Sequence, residues 1–87
     1  MIKSIYIGNL PVDATEVDLH QLFAKHGTVV SLMVIKDRET GISRGFGFVD
    51  MEEEAADNAM ERLDGIDFFG HPIRVMEPLG GFSNSIH

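Results

Sequence analysis

Between Gly45 and Val49 the chain alternates glycine with phenylalanine, and no other stretch constrains the fold as tightly. Successive side chains of a β-strand point to opposite faces. If residues 45–51 form a strand, Phe46, Phe48 and Asp50 share one face, while Gly45, Gly47, Val49 and Met51 share the other. Val49 and Met51 need burial, and the glycines beside them are expected to leave room for a helix to approach. Large apolar residues mostly go inside, so the plain alternative buries the two rings instead. That alternative turns Val49 and Met51 outward together with both glycines. The rings are therefore expected on a face that no helix covers, where large exposed aromatics call for a partner.

The rest of the chain supplies the partners of that strand. Ser4-Ile5-Tyr6-Ile7 alternates and is rich in β-branched and aromatic residues, so it reads as a first strand ending at Gly8-Asn9. Its alternation sets Tyr6 apart from Ile5 and Ile7. Thr15 is a good N-cap, followed by Glu16 and Asp18 in the first turn. Val17, Leu19, Leu22 and Phe23 follow as the apolar positions of a helix, with Gly27 expected as its C′ residue. Residues 29–36 read as a second strand, and Asp37-Arg38-Glu39-Thr40-Gly41 is turn chemistry within a loop reaching Arg44. After the third strand, Glu52 to Glu54 suit the positive end of a second helix, with Ala56, Ala59, Met60 and Leu63 as its apolar stripe. Gly65 stops it, and a last strand spans residues 73–77 before Pro78.

The order is βαββαβ, an α+β fold of the ferredoxin-like type: a four-stranded antiparallel sheet with two helices on one face. Residues 1–78 make one domain, and 79–87, rich in glycine, serine and asparagine, are expected to be a flexible tail.

Composition removes several kinds of chemistry. The 87 residues suffice for one small core and include no cysteine, which excludes disulfides, thiolate metal sites and cysteine nucleophiles. The spacing of His20, His26, His71 and His87 indicates no metal site, and no cofactor is expected. The longest apolar run, residues 29–35, is too short to span a bilayer, and no leader-like segment precedes the first strand, so a cytoplasmic protein is the expectation. The formal net charge of −7 runs against nucleic-acid binding, which draws much of its affinity from neutralised phosphates. The distribution of charge answers this. Lys3, Lys36, Arg38, Arg44 and Arg74 lie on strands or the loop joining them, whereas Glu16, Asp18, Glu52, Glu53, Glu54, Asp57 and Glu61 are helical.

Arg44-Gly45-Phe46-Gly47-Phe48-Val49-Asp50-Met51 agrees with the RNP1 octamer at every position but the last, where Met51 replaces an aromatic. Ile5-Tyr6-Ile7-Gly8-Asn9-Leu10 matches the companion hexamer. Over residues 2–78 the chain thus resembles the RNA recognition motif family, most of all its small bacterial single-domain and glycine-rich members. The resemblance implies a binding module without catalysis, whose partner is single-stranded RNA, with single-stranded DNA as a second candidate. It places Tyr6, Phe46 and Phe48 as base-stacking residues and Arg44 as a phosphate contact. Arg74, Met76 and the 78–79 segment would meet flanking nucleotides, and Lys36 and Arg38 would add charge.

Two departures favour a competing reading. His71 stands after Gly70 where relatives often carry arginine, and Met33, Ile35 and Met76 extend the open face with apolar groups. A protein-interaction or weakly self-associating domain would use the same face. A catalytic reading has little to support it: the phosphate loop of acylphosphatases and the Cys-x-x-Cys of heavy-metal-binding relatives are both absent, and Glu52 to Glu54 read as an acidic helix start.

Overall fold

The computed structural model describes residues 1–78; Leu79 and the expected tail at 79–87 lie outside the described residues. The elements run β1 (Ile2–Gly8), α1 (Glu16–Ala24), β2 (Val29–Lys36), β3 (Ser43–Glu52), α2 (Glu53–Leu63), the two-residue strands β4 (Asp67–Phe68) and β5 (His71–Pro72), and β6 (Arg74–Met76). The main sheet has the order β2-β3-β1-β6 and is antiparallel throughout. The two strands that carry the motifs are therefore its central pair.

One face of this sheet is sealed. Ile5, Ile7, Val34, Val49, Met51 and Val75 form a single cluster with Leu19 and Phe23 of α1 and with Ala56, Ala59 and Leu63 of α2. Each large side chain buried here stabilises the fold by roughly 1.5–3 kcal/mol. The small residues of α2 let it lie close to β1, β3 and β6. Helix α1 starts in a reciprocal capping box: the Asp18 amide donates to Thr15 Oγ1 at 3.1 Å, and the Thr15 amide donates to Asp18 Oδ2 at 2.9 Å.

Several expectations need correction. Val17 does not join the apolar stripe of α1 and is 64% exposed. At 100° per residue it lies nearly opposite Leu19, so it cannot share that side. Gly27 is not the C′ residue, since α1 ends at Ala24 with Lys25 as its C-cap. Its need is steric: a Cβ at Gly27 would sit 2.5 Å from the Ala55 Cβ of α2. The space beside Gly47 likewise serves a strand and not a helix, because a Cβ there would collide with the Met33 carbonyl and approach the Val34 Cα to 3.2 Å. Gly45 answers a third need. Its φ of +87° accompanies the register shift by which Val34 faces Gly47 but Lys36 faces Ser43.

The hairpin β4–β5 was not expected, and the last strand is correspondingly shorter than residues 73–77. Phe69 (φ 51°) and Gly70 (φ 87°) form the tight turn between its strands. Phe68 is buried, and the exposed Phe69 ring stacks on it at 4.6 Å.

Candidate nucleic-acid interface

Strand register decides what the uncovered face displays, because residues directly opposite in a ladder project to the same side. Met33, Phe48, Tyr6 and Met76 form one row across all four strands. Phe46, Gly8 and Arg74 form the row on one side of it. Ser31, Asp50 and Ser4 form the row on the other.

The three expected rings come together. Tyr6 lies 6.0 Å from Phe46 and 5.9 Å from Phe48, and the two phenylalanines are 6.1 Å apart, so the centroids make a nearly equilateral triangle. Phe48 meets Tyr6 at 64° and Phe46 at 89°, the edge-to-face arrangement that aromatic quadrupoles favour, while Tyr6 and Phe46 are tilted by 31°. All three are half-buried, and none belongs to the helix-covered cluster. Gly8 makes this packing possible. A Cβ there would stand 2.8 Å from Tyr6 Cε2 and Oη, so the tyrosine ring lies down over the glycine.

The basic residues divide. Lys36, Arg38 and Arg44 are exposed at or beside the β2–β3 loop, and none is ion-paired among the described residues. The loop is shaped by Asp37, whose Oδ1 accepts the Glu39 amide at 2.8 Å and the Thr40 amide at 3.0 Å. Those amides, Thr40 first, hold its carboxyl below the ordinary 3.8. Arg74 sits on the open face by register, yet its Nε donates to Asp64 Oδ1 at 3.1 Å. The same oxygen accepts the Val75 amide at 2.8 Å, and that bond is the main reason the Asp64 carboxyl lies below its usual 3.8.

Lys3 adds nothing to the open face. It opposes Met51 on the helix side and binds Asp57 at 2.7 Å and Glu77 at 3.1 Å. The hydrogen bond to Asp57, then that to Glu77, raises its pKa.

Of the expected apolar extension, Met33 and Met76 take their places beside Phe48 and Tyr6, with Met33 52% exposed. Ile35 falls in the register shift and is half-buried. His71 is exposed on β5, which is tied to the end of β1 by Asn9 Nδ2 donating to the Pro72 carbonyl at 2.9 Å.

Sequence reasoning missed the third row. Ser4 Oγ donates to Asp50 Oδ1 at 2.6 Å, and Ser31 Oγ donates to Asp50 Oδ2 at 2.8 Å. Alternation already set Asp50 on the ring face, but only the register brings a serine to each side of it. Among the described residues, no group of three or more potential metal ligands occurs, and no helix is long and apolar enough to cross a membrane.

Known proteins resemble the chain in sequence and in structure. The family model for the RNA recognition motif matches residues 5–74. A chloroplastic 28 kDa ribonucleoprotein of Spinacia oleracea is 53% identical over 72 residues, covering 82% of this chain and 31% of its own length. A Synechocystis protein named RbpA is 47% identical over 73 residues, covering 83% of this chain and 72% of its own length. The chain thus spans about a third of the chloroplast relative and most of the cyanobacterial one.

Among solved structures, RNA binding protein PG1 superposes with a TM-score of 0.85 at 47% identity, covering 88% of this chain and 94% of that one. The Sxl-lethal protein in complex with RNA superposes with a TM-score of 0.87 at 27% identity, covering 95% of this chain and 50% of that one. The chain belongs to the RNA recognition motif family, whose domains are non-catalytic modules for binding single-stranded RNA.

Proposed function

We propose that this domain holds unpaired RNA by stacking bases on Tyr6, Phe46 and Phe48 while Lys36, Arg38 and Arg44 meet phosphates. The observation that carries the reading is the ring triangle, with sides near 6 Å, on the face away from both helices. Every base has a π-face, so such a platform takes bases of any sequence, and each stack is worth roughly 1–3 kcal/mol by alanine substitution. A duplex cannot offer splayed bases to a sheet, which directs binding to loops and unpaired stretches. Arg74 and Met76 flank the platform and would contact the neighbouring nucleotides. Stacking alone does not distinguish RNA from single-stranded DNA; contacts to the 2′-hydroxyl do.

Titration of a fluorescent single-stranded RNA tests the mechanism. Phe46→Ala is expected to weaken binding roughly 5- to 150-fold, the range equivalent to one lost stack. Equal affinity of wild type and variant removes stacking.

A second reading is favoured by the apolar row from Met33 to Met76 and by the net charge of −7. A protein partner, or a second copy, would cover the same face. The outer edge of β2 is a poorer place for it, because the Val34 amide already donates to Glu16 Oε2 at 3.0 Å. This reading requires a mass in sedimentation that rises with concentration, or a protein that competes for the platform, and no response to oligonucleotides.

A further inference from the structure

The Ser31–Asp50–Ser4 row poses a problem for a surface that receives a polyanion. Asp50 has no cationic partner among the described residues, and it lies two residues from Phe48 on the same strand face. Two residues of strand span about 7 Å, comparable with the width of a base. A phosphate placed over a carboxylate is repelled, so the nucleic-acid backbone must run elsewhere and leave a base edge above this row.

Hydrogen-bond inventory shows which edge fits. Each serine hydroxyl carries a single proton, and both protons are committed to Asp50, at 2.6 Å from Ser4 and 2.8 Å from Ser31. The oxygens that remain available along the row are acceptors only. The two hydroxyls also pull one carboxylate oxygen toward each neighbouring strand, which fixes the group crosswise between β1 and β2. Each carboxylate oxygen keeps a further lone pair.

Among the four bases, guanine alone places two adjacent N–H donors, N1–H and the N2 amino group, on its Watson–Crick edge. Adenine and cytosine set one amino group beside an acceptor nitrogen, and uracil sets its N3–H between two carbonyls. We propose that Asp50, positioned by Ser4 and Ser31, is a guanine-selecting residue that accepts from N1–H and N2–H of a base lodged beside Phe48. The inference rests on the RNA-binding reading above and deepens it.

The test uses eight-nucleotide oligouridines carrying one central guanosine, inosine, adenosine or cytidine, together with the all-uridine probe. Wild type should bind the guanosine probe about tenfold more tightly than the adenosine, cytidine and all-uridine probes, a typical discrimination for one two-point contact. Inosine lacks the N2 amino group and should fall between guanosine and uridine. Asp50→Asn turns one acceptor into a donor and removes the charge that repels phosphate. It should abolish the guanosine preference while binding the all-uridine probe as well as or better than wild type, an opposition that a mere loss of folding cannot produce. Ser4→Ala with Ser31→Ala keeps the carboxylate but frees it to rotate, and should reduce the preference.

A guanosine preference that survives Asp50→Asn overturns the proposal. So does binding by wild type without any preference, which leaves the stacking reading standing. Failure of wild type to bind any of the probes overturns the RNA-binding reading and this inference with it.

Discussion

Gly8 and Asp64 touch no base in the proposed mode, yet both govern groups that do. At Gly8 an added methyl would meet the far end of the Tyr6 ring at 2.8 Å, and a flexible side chain can move away. Gly8→Ala should therefore leave the fold intact and lift Tyr6 from its place, weakening RNA binding about fivefold, the low end of the worth of one stack. Matched melting curves and an RNA titration check both halves. Asp64 holds Arg74 and the Val75 amide on one oxygen. Its carboxyl is depressed below 3.8, so its stabilising contribution is complete above that value and is lost as pH falls through the lower folded-state pKa. Asp64→Asn should lower Tm at pH 7 by the equivalent of about 1 kcal/mol or less, since the site is exposed to solvent screening. The gap from wild type should close below pH 3.8, and melts across pH 2.5–7 measure it.

At the scale of elements, local chemistry and long-range fit separate cleanly. The start of α1 is local: Thr15 was legible as its N-cap, whereas Asp18, read only as an acid suited to the helix dipole, also closes the capping box. Thr15→Ala should cost about 1 kcal/mol by denaturant melt without moving RNA affinity. The β2–β3 pairing is not local. Gly47 faces the Met33 carbonyl so closely that Gly47→Val must push the two strands apart. Because this pairing also sets Met33 beside Phe48, the variant should lose both stability and RNA binding. The strand and helix pattern was legible because hydrophobic period and caps act over a few residues. Hairpin β4–β5 was not, because its turn places Phe69, a bulky residue, at φ 51°, a conformation that sequence assigns to glycine or asparagine.

For the molecule as a whole, the decisive quantity is how few cations remain for phosphates. Lys3 is bound to Asp57 and Glu77, and Arg74 to Asp64, which leaves Lys36, Arg38 and Arg44 near the platform. With two or three phosphates neutralised on a single strand, log affinity should fall against log salt with a slope of about −1.4 to −2.1. Titrations from low to physiological salt check this, and a slope steeper than about −4 contradicts the charge map. In the proposed mode stacking then supplies most of the affinity, so the ring variants should weaken binding more than Lys36→Ala or Arg38→Ala.

The amino-acid sequence determined by itself the order of the two helices and the four strands of the main sheet, the N-cap of α1 and the face of each strand that carries the rings. Those follow from periods of two and 3.6 residues and from side chains that bond a few positions away. Tertiary structure alone decided which residues sit opposite one another: the triangle of rings, the glycine beneath Tyr6, the capture of Lys3 by α2, and the serines flanking Asp50. Partners in a sheet lie tens of residues apart in the chain, and their register is set by the core and by bulges such as that at Gly45, which no local period encodes.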